Sequence, residues 1–117
     1  MDRSAIEIER FLEAMAVEAG AAHNTLAAHR RDLQAFARFV LVRGGRLDAA
    51  SAKDVSAHLA DLAERGFAAS SQARHLSAIR RFFRFLHAEG DREDDPAGKI
   101  ARPKRARPLP KILSVEE

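Results

Sequence analysis

Residues 70–90 read SSQARHLSAIRRFFRFLHAEG, and the order of apolar and basic residues in them decides the fold class. At about 100° per residue, Leu76, Ile79, Phe83 and Leu86 fall on one side, the three- and four-residue spacing of an amphipathic helix. Ser70 is placed to cap its start and Gly90 to end it. The opposite face gathers Ser70, Arg74, Ser77, Arg81 and Arg84. Guanidiniums and hydroxyls along one helical face suit a phosphate backbone or guanine edges in a major groove. A solvated face is the plain alternative. Against it, no acid lies between Ser70 and His87 to pair with these arginines, and Phe85 is expected to stand exposed beside the stripe.

The same periodicity continues outward, with no sustained alternation that would mark strands. A first helix is predicted over 3–19, burying Ile8, Phe11, Leu12 and Met15 and stopping before Gly20. A second, over 23–42, turns Leu26, Leu33, Phe36, Ala37 and Val40 inward and ends at Gly44-Gly45. Its opposite side carries Asn24, Arg31, Gln34 and Arg38, with Arg30 on the flank and Asp32 near enough to satisfy one of them. A third helix opens at SAKD, where Ser51 caps and Asp54 favours the positive helix end, and buries Val55, Leu59 and Leu62 before Gly66. After Gly90 the DREDD cluster reads as a solvated turn plus a cap, with Asp95 capping a short fifth helix, Pro96 at its first position and Ile100 facing inward. The class is therefore all-α: a compact bundle of four helices plus a short fifth, joined by short loops.

Pro103, Pro108 and Pro110 then forbid a helix, and 102–117 reads as a basic, proline-rich linker after a domain at 1–101. Charge is uneven along the chain. Residues 1–69 hold 9 Lys and Arg against 10 Asp and Glu, whereas 70–117 hold 11 against 7. This basic second half suggests a polyanionic partner. At the end, Ser114 and Glu117 stand in the S-x-x-E spacing of a capping box, so a helix starts with no body to follow.

With 117 residues, 46% apolar and 32% charged, the chain fits one globular domain. No apolar run approaches the ~20 residues of a membrane span, and the acidic start lacks a signal-peptide pattern, so a cytoplasmic location is expected. Absence of Cys excludes disulfides, thiol catalysis and thiolate metal sites. The five histidines show no paired ligand spacing on one helix. His29 and His58 fall near apolar faces, where a hydrogen-bonded core histidine is the expected role. No nucleophile stands with an orienting base, no glycine-rich phosphate loop is present, and the chain has no Tyr. No catalytic residue, metal or cofactor is predicted.

NTLAAHRRDLQAFARFV, SSQARHLSAIRRFFRFLHAEG and REDDPAGKIARPKRARPLPKILS, in that order, resemble the N-terminal region of the Xer-type tyrosine recombinases of the phage-integrase family. The resemblance implies a SAM-like core-binding domain, one half of a clamp around duplex DNA. The larger catalytic half, with its tyrosine nucleophile, would follow the linker, which makes this chain the fragment that precedes it. The family implies double-stranded DNA and other recombinase protomers as partners, with a XerC-like protein in a tetramer on DNA and no metal or nucleotide. Its full-length members cut and rejoin DNA through a phosphotyrosine, and Xer enzymes resolve chromosome dimers. Carried over by position, the DNA contacts are Asn24, Thr25, Arg30, Arg31, Ser70, Arg74, Ser77, Arg81 and Arg84, with Lys104 and Arg105 in the linker. The sequence departs from the family where His29 replaces a usual Tyr and Ala22 a frequent Ser, which weakens the cap of the second helix. An alternative reading is a helical protein-interaction module that mediates recombinase assembly without strong DNA binding of its own.

Overall fold

The computed structural model describes residues 3–18, 20–98 and 100. The linker at 102–117, and with it Lys104, Arg105 and the Ser114–Glu117 pair, lies outside the described residues. Four α-helices follow one another: α1 (Ser4–Glu18), α2 (His23–Val42), α3 (Ala52–Glu64) and α4 (Ala69–Ala88). α2 packs on both α1 and α4, and α3 packs on α4 and, less extensively, on α2. Among the described residues there is no strand, and no helix is long and apolar enough to cross a membrane.

The helix ends follow from local chemistry. At Gly44 (φ +89°) and Gly66 (φ +89°) the backbone enters the left-handed region that a side chain disfavours. The chain then folds back so that Gly45 N–H donates to the Val40 carbonyl at 2.9 Å and Phe67 N–H to that of Leu62 at 3.0 Å. These bonds satisfy carbonyls that the helices leave open. α3 begins with a complete capping box: Asp54 N–H donates to Ser51 Oγ at 3.2 Å, and Ser51 N–H donates to Asp54 Oδ2 at 2.9 Å. Ser51→Ala is expected to cost about 1 kcal/mol of stability, read as a lower urea midpoint. An unchanged midpoint would mean that water caps this end equally well.

Phe11, Phe36, Phe82 and Phe83 are fully buried. Phe82 and Phe83 are sequence neighbours, so their rings leave α4 in different directions. Phe82 meets Phe11 of α1 edge-on (centroids 5.7 Å apart), and Phe83 meets Phe36 of α2 (6.2 Å, 88°). α4 is therefore buried over a broader arc than the four-residue stripe predicts, adding His75, Ala78 and Phe82.

Three local expectations are corrected, and one element appears that the sequence reading does not name. Ser70 does not cap α4: the cap position is Ala68, with no side-chain hydrogen bond. The short fifth helix is a hydrogen-bonded turn at 96–98, although Asp95 does accept from Ala97 N–H (3.3 Å) as a cap would. A 3-10 turn at Leu47–Ala49, which no periodicity can announce in three residues, brings Leu47 into the core. Finally, Arg92 is no solvated turn residue. Its guanidinium donates to the carbonyls of Ala50 (2.7 Å) and Asp48 (3.1 Å), pairs with Asp94 and lies over the Phe83 ring at 5.1 Å.

Candidate nucleic-acid interface

Turning Phe83, Ile79, Leu76 and Leu86 inward forces the residues half a turn away to face outward. Ser70, Arg74, Arg81 and Arg84 are exposed and Ser77 is half-buried. Together with Arg80 they line one groove of about 420 Å³ along α4. Arg81 and Arg84 have no hydrogen-bond or ion-pair partner among the described residues. Two guanidiniums one turn apart, with a hydroxyl beside them, form a positive surface that a polyanion can neutralise.

Arg74 departs from the expectation of an unpaired stripe. The sequence of α4 offers it no acid, but α2 does. Arg74 Nε–H donates to Asp32 Oδ2 at 2.9 Å and Nη2–H to Oδ1 at 3.0 Å. Asp32 is 2% exposed, and His75 Nε2 lies 3.4 Å from its Oδ1. Arg30 is likewise engaged, through paired bonds of 2.7 and 2.9 Å to Glu9 of α1. Both groups of that pair are exposed, so water competes for it. Asn24, Thr25 and Arg31 are exposed on α2, yet none of them lines the α4 groove.

Phe85 is half-buried rather than exposed. Its ring lies 5.8 Å from that of Phe11, and Arg10 caps it at 5.5 Å. It forms, with Phe11 and Met15, the floor of a second cleft of about 470 Å³ that Arg81 and Arg84 border. Arg80, which the sequence stripe omits, sits in the basic groove and donates to the carbonyls of Ala97 (3.3 Å) and Ile100. Its role depends on where the chain goes after α4, which helical periodicity does not report.

Three histidines are buried behind this surface: His29, His58 and His75. His29 and His58 are core residues as expected, but they are not hydrogen-bonded there. None of their ring nitrogens has a partner among the described residues. His58 instead packs on the rings of Phe36 (5.2 Å), Phe39 (5.1 Å) and His75 (5.7 Å). Burial lowers the pKa of all three, that of His58 to about 4, with His75 adding to the effect. Among the described residues no cluster of His, Asp or Glu is placed to hold a metal ion.

The all-α domain thus carries on α4 a basic groove in which two of four arginines, Arg81 and Arg84, stand unpaired among the described residues. The chain belongs to the phage-integrase N-terminal SAM-like domain family, whose pattern matches residues 8–90, from within α1 past the end of α4. Its relatives are specific. The chain is 53% identical over 99% of its length to tyrosine recombinase XerD of Rhizobium meliloti, and 51% identical over 97% to that of Brucella abortus. Tyrosine recombinase XerD of Caulobacter vibrioides is 45% identical over 93%. The chain spans 37%, 37% and 36% of these relatives, little more than a third of their length. Membership in this family and similarity to the XerD recombinases agree with the resemblance read from the sequence. The integrase of mycobacterium phage Brujita shares the fold (TM-score 0.72, 20% identity), covering 88% of this chain and 34% of that one.

Proposed function

We propose that this chain is the DNA-binding, core-binding domain of a site-specific tyrosine recombinase, forming half of a clamp around the recombination site. The observation that carries the reading is the α4 groove, where Arg81 and Arg84 stand unpaired beside Ser77 and Arg74. A solvated surface face normally intersperses acids with its bases, and this one has its single acid buried beneath it. The contact set is Ser70, Arg74, Ser77, Arg81 and Arg84 on α4, with Asn24, Thr25, Arg30 and Arg31 on α2 and Lys104 and Arg105 in the linker. The parent protein would cut and rejoin DNA through a phosphotyrosine, in a tetramer with a XerC-like partner, during chromosome dimer resolution. This domain supplies grip and no catalytic group.

The test is fluorescence anisotropy of the chain with a Xer-type duplex and a scrambled duplex across a salt series. Tighter binding to the Xer site with a steep salt slope is expected, since each neutralised phosphate releases counterions. Arg81→Ala should weaken binding by about 1–3 kcal/mol, selectively if Arg81 reads a base and uniformly if it holds a phosphate. No loss would remove α4 from the interface. The apolar cleft bordered by Arg81 and Arg84 favours a second reading, contact with another protomer, and salt-insensitive self-association without duplex binding would select it.

A further inference from the structure

Arg74 and Asp32 are joined across two helices in a way that the other basic residues of the surface are not. The Asp32 side chain is almost wholly buried, at 2% exposed, while the Arg74 side chain is 49% exposed in the groove. Two of the five guanidinium N–H groups are spent on Asp32, leaving three for another acceptor. Arg74 is not free to swing away to such an acceptor. Leaving Asp32 would strand a buried carboxylate with only the neighbouring His75 ring, whose burial disfavours the charged form. The Glu9–Arg30 pair makes the contrast: both partners are exposed, and either can be released into water.

We propose that Asp32 is a positioning residue for the DNA interface, holding the Arg74 guanidinium in the α4 groove so that its three remaining N–H groups meet a phosphate or base edge without further ordering. This rests on the DNA-binding reading above and deepens it. A free arginine loses rotamer freedom when it binds, whereas one already forked onto a carboxylate has lost it in the folded protein. The pairing also ties α2 to α4 beside the groove. Asp32 touches no DNA. It acts through Arg74.

The sign of one substitution separates this role from simple electrostatics. Asp32→Asn removes a negative charge beside a basic groove, which by Coulomb attraction alone tightens binding to DNA. Positioning requires the opposite: affinity for the Xer-type duplex should fall about three- to tenfold, as expected for one arginine that must now be ordered on binding. Arg74→Lys keeps the charge and a partner for Asp32 but loses the fork, and should fall by a similar factor. The double variant should be no weaker than the weaker single variant, because both changes remove the same held guanidinium. Anisotropy titrations at fixed salt, on proteins shown folded by circular dichroism, give all three values. Unchanged or tighter binding by Asp32→Asn overturns the proposal, as do losses that add in the double variant. If Asp32→Asn does not fold, wild-type affinity in Arg74→Lys overturns it alone. Absence of duplex binding by the unaltered chain would instead overturn the DNA-binding reading and this inference with it.

Discussion

Replacing Phe83 with alanine is expected to lower the unfolding free energy by about 3–5 kcal/mol, the range for deleting a buried aromatic ring. Phe83 is fully buried, edge-on to Phe36 at 6.2 Å and 5.3 Å from Phe82. Those neighbours belong to helices that are pinned elsewhere in the core, so the site has little room to collapse around the missing ring. The Arg92 guanidinium, 5.1 Å above the ring, also loses its platform, and with it the orientation of its bonds to the Asp48 and Ala50 carbonyls. A domain of this size is stable by only about 5–15 kcal/mol, so the variant should unfold at a much lower urea concentration. A loss below about 1 kcal/mol would mean that the core repacks freely, against the tight packing typical of protein interiors. Duplex affinity of the folded variant should be little changed, the reverse of Arg81→Ala.

Acid should destabilise the domain through its buried histidines before most carboxylates are protonated. His58 is 1% exposed, its nitrogens have no partner among the described residues, and burial together with the nearby His75 lowers its pKa from 6.5 to about 4. In the unfolded chain the same imidazole takes up a proton near pH 6.5. Between pH 6.5 and 4 the unfolded state therefore binds more protons than the folded one, and stability falls as pH falls through that window. At about 1.4 kcal/mol for each pH unit between the two pKa values, His58 alone accounts for about 3 kcal/mol at most. His29 and His75, lowered by burial first, act in the same direction. Glu7 opposes them, because burial raises its pKa and its protonation favours the folded state. The expected result is a thermal midpoint that drops steadily from about pH 7 to about pH 4.5, with His58→Leu flattening the drop. A midpoint independent of pH over that range would show that His58 is not held neutral in the fold.

The helices are legible in the sequence because their signals are local. Ile8, Phe11, Leu12 and Met15 repeat at helical spacing on α1, and Ser51 with Asp54 announces α3 before any packing is known. The basic stripe of α4 is legible for the same reason: once Leu76, Ile79, Phe83 and Leu86 go inward, Arg74, Ser77, Arg81 and Arg84 must go outward. Phe82 escapes that reading because a stripe assumes burial on one side, and α4 has neighbours on more than one. Ser70 is no cap because a serine near a helix start is a good acceptor only at the position where the backbone is still extended, and that position is Ala68.

The all-α class, the capping box of α3 and the arginine-bearing face of α4 all depend on residues within a few positions of one another, and so are written in the sequence. Which arginines are free is not. Arg74 is held by Asp32 from 42 residues away, Arg30 by Glu9 from 21, and Arg80 turns to the carbonyls of Ala97 and Ile100, so that of the four arginines lining the α4 groove Arg81 and Arg84 are the ones unpaired among the described residues. An ion pair depends on where two helices cross, and helical periodicity carries no information about that crossing. The burial of three neutral histidines has the same origin, since their low proton affinity comes from the neighbours that packing brings around them.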